Sequence, residues 1–434
     1  MSPAALPPAQ AARPPGTARA VIAAVIGNAL EWYDFLVYAI FAVQIAHSFF
    51  PARTPTASLL LAVATFGAGF VLRPIGAVVL GQYADRRGRR PALTLIILMM
   101  TLATAVMVFT PGYRTIGLAA PLLIVASRLL QGFSVGGELG SSTALLIESA
   151  PPGQRGVYAS LQGATQWVAS LGAAAAGVLT ATLLGPHALA AWGWRLPFAV
   201  GLLIGPVGLY LRAHLDEPEA GGVRLRPEST PLLLLWRAHR GAVIQTIGLI
   251  AMGTMATYIL GISMPSYAQQ QLHLPPRGTF LSTVIADAVA IGLAPWSGRL
   301  SDRFGARPIM LPAAILLALG VFPGFVLLTH SPSVPTLIAV QTAGCAVLAV
   351  LSGPLYALIG SLFPAEVRST GLSVGYNVSV LAFGGFAPFV TTWLIAATGN
   401  RTMPGLYVTA GAALTIPALL VGWRRSRARG LRSD

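Results

Sequence analysis

Four carboxylates and two guanidiniums stand inside long apolar runs of this chain: Glu31, Asp34, Glu138 and Asp287, with Arg73 and Arg128. A charged side chain at mid-bilayer costs about 2.5–3.5 kcal/mol on insertion scales, so each of the six is a candidate for function. Glu31 and Asp34 fall with Gly27 and Tyr38 at i, i+4, i+7 and i+11, one face of a helix. Two carboxylates this close in low dielectric cannot both ionise cheaply, so the pair is expected to hold a proton, the requirement for coupling to a proton gradient. The alternative is a structural pair bonded to Arg73 or to another helix. Arg128 shares a helical stripe with Gln131, Val135, Glu138 and Ser142, whereas Gly132, Gly136 and Gly140 form a small-residue series on another face. That division reads as one face for a cavity and one for close packing. The planar donor fork of Arg128 suits a solute carboxylate, against the simpler reading of a permanent ion pair with Glu138 or a carboxylate of the first helix. Arg73 fits either role. Tyr158, Gln162, Gln166, Tyr258, Tyr376 and Asn377, with Gln131, supply neutral groups able to orient a polar solute or to bond another helix. Asp287 is a further protonation candidate.

These groups must be positioned by membrane-spanning helices. The 434 residues are 55% hydrophobic and 9% charged, with a mean hydropathy of +0.72, where a soluble protein carries about 25% charged residues. Apolar runs as long as Leu93 to Phe109 exclude a barrel of ten-residue alternating strands. Read between Gly, Pro and Arg punctuation, the chain predicts twelve spans: Ala20 to Ala46, then 57–80, 91–110, 116–147, 157–184, 193–212, 240–264, 279–298, 306–329, 334–361, 368–397 and 403–423. The expected organisation is a disordered tail over 1–18, a six-helix bundle over 19–212, a polar linker over 213–238, a second six-helix bundle over 239–423 and a basic tail over 424–434. With the N-terminus inside, 21 arginines fall on the cytoplasmic side and five outside (Arg53, Arg114, Arg195, Arg277 and Arg401). The expectation is therefore a multi-pass protein of the inner membrane with both termini cytoplasmic. Charge placed helix end by helix end suits anionic lipid and argues against nucleic acid.

Other chemistries are excluded by composition. All 28 basic residues are arginine, so no P-loop lysine and no Schiff-base lysine exists. The lone Cys345 allows no internal disulfide, and six scattered histidines give no metal-ligand pairing, so neither metal nor cofactor is expected. Gly132, Ser134 and Gly136 match G-x-S-x-G, but no strand precedes them and no partner histidine is identifiable. An enzyme is not expected.

The chain also repeats itself. Gly81, Asp85, Arg86, Gly88 and Arg90 share G-x-x-x-D-R-x-G-x-R with Gly298, Asp302, Arg303, Gly305 and Arg307, and Asp85 and Asp302 lie 217 residues apart, half the chain. Each copy sits between the second and third helix of its half, so two parallel six-helix repeats are predicted. A second echo pairs the stretch from Pro151 to Arg155 with that from Pro364 to Arg368. The doubled loop resembles the signature of the major facilitator superfamily. Gly27, Asn28, Glu31, Trp32, Tyr33, Asp34 and Phe35, then Arg73, Pro74 and Gly76, then Gln131, Gly132, Gly136, Gly137 and Glu138 resemble its metabolite:proton symporter branch. So do Trp192, Trp194, Arg195, Pro197 and Phe198, and Tyr376 and Asn377 followed by Phe383, Gly384 and Gly385. The resemblance implies an all-α fold of two pseudo-symmetric bundles and alternating access. It implies that Asp85, with Arg86, Gly88 and Arg90, contacts neighbouring helix ends and gates the cytoplasmic side, and that Asp302 and Arg303 gate more weakly, Ala306 replacing a usual polar position.

The expected function is proton-coupled symport of a small organic acid such as citrate or 2-oxoglutarate by a monomer. The alternatives are a carrier of proline or betaine, of shikimate or an aromatic acid, and, from another class, a channel.

Overall fold

The computed structural model describes residues 17–87, 89–136, 138–202, 205, 235, 238–364 and 367–428. The expected N-terminal tail up to residue 16, most of the linker and the last six residues lie outside them. The fold is all-α, with no strand among the described residues. Among the described residues, eight helical stretches are long and apolar enough to cross a bilayer, a bent pair makes a further one, and Thr94–Phe109 and Ala119–Val135 are shorter apolar helices. One more helix opens at residue 195 and runs out of the described residues.

In chain order, segment 1 is Thr17–Ile40 continued by Ala42–Phe49, segment 2 Pro55–Val71 with Arg73–Arg87, and segment 3 Arg89–Phe109. Segment 4 is Ala119–Val135 with Glu138–Glu148, segment 5 Arg155–Leu183, and segment 6 the helix from residue 195. Segment 7 joins Arg240–Ala256 through a wide turn, Thr257–Ile262, to Met264–Gln271. Segments 8, 9 and 10 are Pro276–Phe304, Ala306–His330 and Val334–Ser352 with Leu355–Ser361. Segment 11 joins Arg368–Ser379 through Val380–Gly385 to Ala387–Thr398, and segment 12 is Met403–Ala410 with Ala412–Ala428.

Local chemistry sets several ends. Thr54 caps segment 2, its hydroxyl accepting the Ala57 N–H at 3.1 Å ahead of a proline. Ser333 caps segment 10 in the same way. Gly305, at φ 85°, makes the turn between segments 8 and 9 that a side chain would resist. Two spans expected as continuous are broken. Segment 1 bends by 65° at Phe41, and segment 4 is interrupted at Gly136.

The small-residue series does the expected packing. A Cβ on Gly132 would meet the Gly69 carbonyl and one on Gly136 the Arg73 carbonyl, while one on Gly76 would meet the Phe133 carbonyl. Segments 2 and 4 thus touch backbone to backbone, which holds Arg73 and Arg128 at fixed depth on facing helices.

Segments 5 and 8 make the most extensive contact between the two bundles. On the side bearing the arginine-rich loops, Gly156 and Gly298 face each other so closely that either Cβ would meet the other's carbonyl. At the opposite end Phe386 lies over Gly67 and Phe70 over Gly385, so segments 2 and 11 interlock reciprocally.

Candidate functional site

Between the bundles lies a cavity walled by segments 1, 5, 7, 10 and 11. Its aromatic wall is Trp32, Trp167, Tyr258, Tyr356 and Tyr376, and its polar groups include Gln166, Ser170, Thr254, Thr257 and Ser352. The Gln166 amide donates to the Tyr356 hydroxyl at 3.3 Å and to the Tyr376 hydroxyl at 3.5 Å, tying the first bundle to the second across the space. The wide turn in segment 7 places Tyr258 in this wall, and the one in segment 11 brings Gly384 against the Tyr258 ring. A single widened turn changes which residues face inward beyond it, which regular 3.6 periodicity does not reveal.

Of the groups named from sequence, the cavity gathers Gln166, Tyr258 and Tyr376. Arg73 stands directly behind them. Its guanidinium lies 5.3 Å from the Trp32 ring, 4.7 Å from Phe35 and 4.3 Å from Phe70, and within Coulombic reach of Tyr258 and Tyr376. Arg128 sits deeper, wholly buried, with its guanidinium 3.9 Å from the Tyr38 ring and 5.5 Å from Phe35. None of its three nitrogens has a hydrogen-bond partner among the described residues. The ring of Phe35 is thus shared by both cations. Aromatic faces stabilise a desolvated guanidinium by about 2 kcal/mol each but do not neutralise it.

Asp34 is the anion nearest Arg128, buried and within Coulombic reach, though no ion pair closes between them. One carboxylate oxygen accepts the Thr104 hydroxyl at 2.7 Å, Thr104 in turn accepts the Gln131 amide at 3.2 Å, and the other oxygen has no partner. Gln131 therefore serves this chain of bonds rather than the cavity wall. Glu31 is half-buried one turn before Asp34. The side chain of Glu138 lies outside the description, as do those of Asp85, Arg86 and Arg90 and the residue Gly88.

Gln162 is enclosed in the first bundle: it accepts from Ser142 at 2.7 Å and donates to Asn28 at 3.1 Å, and Asn28 donates to Thr165. With both ends of its amide occupied, it fastens segments 1, 4 and 5 and does not reach the cavity. Asn377 donates to the Gly136 carbonyl at 3.2 Å, a contact between bundles at the break in segment 4. Tyr158, half-buried in the first turn of segment 5, is not among the cavity-lining residues. Trp32, named above only for the family resemblance, also lines the cavity, and Trp167, Tyr356 and the threonines of segment 7 do so without having been singled out, because aromatic and hydroxyl residues are common in apolar helices and carry no distinctive spacing.

The second copy of the repeated loop contacts the other bundle directly. Asp302 accepts the N–H groups of Gly156 at 2.6 Å and Val157 at 3.1 Å, the first turn of segment 5 in the other bundle. A carboxylate there meets exposed N–H groups and the positive end of the helix dipole, and the absent Cβ of Gly156 gives it room. Arg303 is exposed, its guanidinium near the Phe304 ring. Beside this contact Arg368 pairs with Glu148 at 3.3 Å and donates to the Gly360 carbonyl; the pair is largely exposed and contributes well under about 1 kcal/mol. Asp302→Asn should weaken the closed arrangement by about 1 kcal/mol, the half-exposed share of a charge-assisted pair of bonds. That is about a fivefold rise in the open population, read as faster labelling of a cysteine placed at Ser373, which packs against Gly140 when the bundles are closed. Unchanged labelling would remove Asp302 from the gate.

Two family profiles match the chain: one described as sugar (and other) transporter over residues 20–219 and one described as Major Facilitator Superfamily over residues 279–433. A citrate-proton symporter of Klebsiella pneumoniae is 37% identical over 412 residues, covering 94% of this chain and 92% of that protein. A proline/betaine transporter of Escherichia coli is 32% identical over 410 residues, 90% of this chain and 80% of that one. Among solved structures, a D-xylose-proton symporter superposes with a TM-score of 0.73 at 18% identity, over 92% of this chain and 97% of that one.

Proposed function

This chain belongs to the major facilitator superfamily, in its metabolite:proton symporter branch, and from that premise we propose that it carries a small di- or tricarboxylate such as citrate or 2-oxoglutarate across the bacterial inner membrane together with protons. The observation that carries this reading is the pair of buried guanidiniums at the cavity: Arg73 behind Trp32, Tyr258 and Tyr376, and Arg128 behind Phe35, the latter with none of its nitrogens hydrogen-bonded among the described residues. Two desolvated guanidiniums on one side of a cavity favour an anion there, and a solute carboxylate supplies one. The tyrosine hydroxyls and the Gln166 amide orient its remaining oxygens.

Asp34 completes the scheme. Ionised, it offsets Arg128; protonated, it releases that charge to the solute and lowers the cost of moving the loaded bundle interior through the membrane. Proton and solute then bind cooperatively, because each relieves a charge that the other leaves exposed. Alternating access follows from separation of the Asp302–Gly156 end or of the Phe386–Gly67 end around the fixed cavity. The molecule works as a monomer with both termini cytoplasmic, its arginine-rich ends against anionic lipid, and it binds no nucleic acid.

A second reading rests on the aromatic lining. Two tryptophans and three tyrosines around one cavity also suit a quaternary ammonium solute held by cation–π contacts, as in a betaine carrier. A thermal-shift screen of purified protein against citrate, 2-oxoglutarate, succinate, shikimate, proline and glycine betaine separates the two. Stabilisation by a carboxylate, lost in Arg73→Gln, supports the first reading; stabilisation by betaine that survives Arg73→Gln supports the second.

A further inference from the structure

Asp287 is a buried ionisable group that this scheme does not use. Asp287 lies in segment 8 of the second bundle, with no exposed surface and with neither carboxylate oxygen hydrogen-bonded among the described residues. The groups that face it are the Ser170 hydroxyl of segment 5 and the Cys345 thiol of segment 10; segments 7 and 9 bring no ionisable side chain to it among the described residues. Polar neighbours one turn away are committed elsewhere. Ser282 donates to Gln341 at 2.5 Å, and the Gln341 amide donates to Thr283 at 3.0 Å and to the Leu260 carbonyl at 2.9 Å, a closed set that leaves Asp287 out.

Ser170 gives this carboxyl a route to water. Its side chain lines the solute cavity, and its hydroxyl oxygen is buried without a hydrogen bond of its own. The Asp287 carboxyl and the Ser170 hydroxyl are therefore each other's nearest polar group, with no cation beside them among the described residues, across the interface between segments 5 and 8, the largest contact between the bundles. A buried carboxylate without a cation is costly, so the arrangement calls for an occupant that offsets its charge and is exchanged rather than permanent. A proton fits: it leaves the carboxyl neutral and able to donate to Ser170, and it departs through the cavity when the bundles reorient. A metal cation does not, since one carboxylate, one hydroxyl and one thiol fall short of the oxygen shell a hard cation needs.

We propose that Asp287 is a second proton-carrying carboxyl, reached through Ser170 and separate from the Asp34 group, so that one proton rides in each bundle. The proposal rests on the symport reading above. It assigns two protons to each solute, with Asp287 carrying one of them.

The test is accumulation at static head in proteoliposomes, with the membrane potential clamped at zero by valinomycin and equal potassium. The logarithm of the citrate ratio, plotted against the imposed pH difference, has a slope equal to the number of coupled protons, each giving about a tenfold ratio per pH unit. The expected slope is two for the unaltered protein and one for Asp287→Asn, with citrate counterflow retained. A slope of two in Asp287→Asn overturns the proposal while leaving symport intact, whereas a slope of zero in the unaltered protein removes the symport reading itself. Should Asp287→Asn fail to fold, Ser170→Ala decides: gradient-driven uptake slowed about tenfold with counterflow unchanged supports the route, and both rates unchanged overturns it. A ratio that follows an imposed sodium gradient instead of the pH difference also overturns it.

Discussion

Asp34→Asn is expected to keep solute exchange and to lose one of the two coupled protons, and with it most of the solute accumulation. The asparagine fits the same space and still accepts the Thr104 hydroxyl that Asp34 accepts at 2.7 Å, so the first bundle should stay folded. What disappears is the titration: Arg128 faces a permanently neutral neighbour, as it would opposite the protonated acid. Counterflow, which needs only the loaded carrier to reorient, should fall no more than about threefold. Net uptake against a gradient needs the unloaded carrier to return without its proton, and the variant has no such state at this site. With one coupled proton contributing about tenfold accumulation per pH unit, an inward difference of two units should lose about a hundredfold in the final ratio. Equal accumulation by Asp34→Asn and the unaltered protein would show that the proton rides elsewhere.

Arg73→Gln should produce the largest loss of affinity. The guanidinium sits behind the cavity wall against the Trp32, Phe35 and Phe70 rings, and truncating one partner of a desolvated charge pair costs about 2–5 kcal/mol. Citrate binding should weaken at least about thirtyfold by calorimetry. Arg73→Lys should recover only part of it, because an ammonium keeps the charge but lacks the planar fork and stacks poorly on three rings. Arg128→Gln should act differently. Arg128 lies beyond Phe35 and does not line the cavity, so its loss should disturb proton coupling more than affinity. A carboxylate affinity unchanged in Arg73→Gln would take the solute out of this cavity.

Much of this arrangement was legible in the residues. The charged groups inside apolar runs, the doubled loop and the arginine asymmetry need only composition and spacing, and the glycine series of segment 4 announced the backbone contact that Gly132 and Gly136 make. Depth was harder to read. Arg128 and Arg73 look equivalent in sequence, yet one is caged by Tyr38 inside its bundle and the other reaches the cavity wall, a difference set by which aromatic rings intervene. Gln162 and Gln166 lie one turn apart on segment 5, and only Gln166 faces the cavity; Asn28 and Ser142 claim the other. Helix irregularities were invisible for a further reason. The bend at Phe41 carries no Gly or Pro to mark it, and the glycines and prolines beside the wide turns at Thr257–Ile262 and Val380–Gly385 look no different in sequence from those that regular helices here tolerate. The contact that Asp302 makes could not be read from its own loop, because the space for it is supplied by Gly156 in another segment.

The most direct test of proton-coupled carriage through this cavity follows both fluxes in the same vesicles. Radiolabelled citrate is added to proteoliposomes with no imposed gradient while an external pH dye records proton movement, protein-free liposomes serving as the blank. Saturable citrate entry accompanied by external alkalinisation in fixed proportion, with both signals lost in Arg73→Gln, is the expected result. Saturable citrate entry with no movement of protons would contradict it.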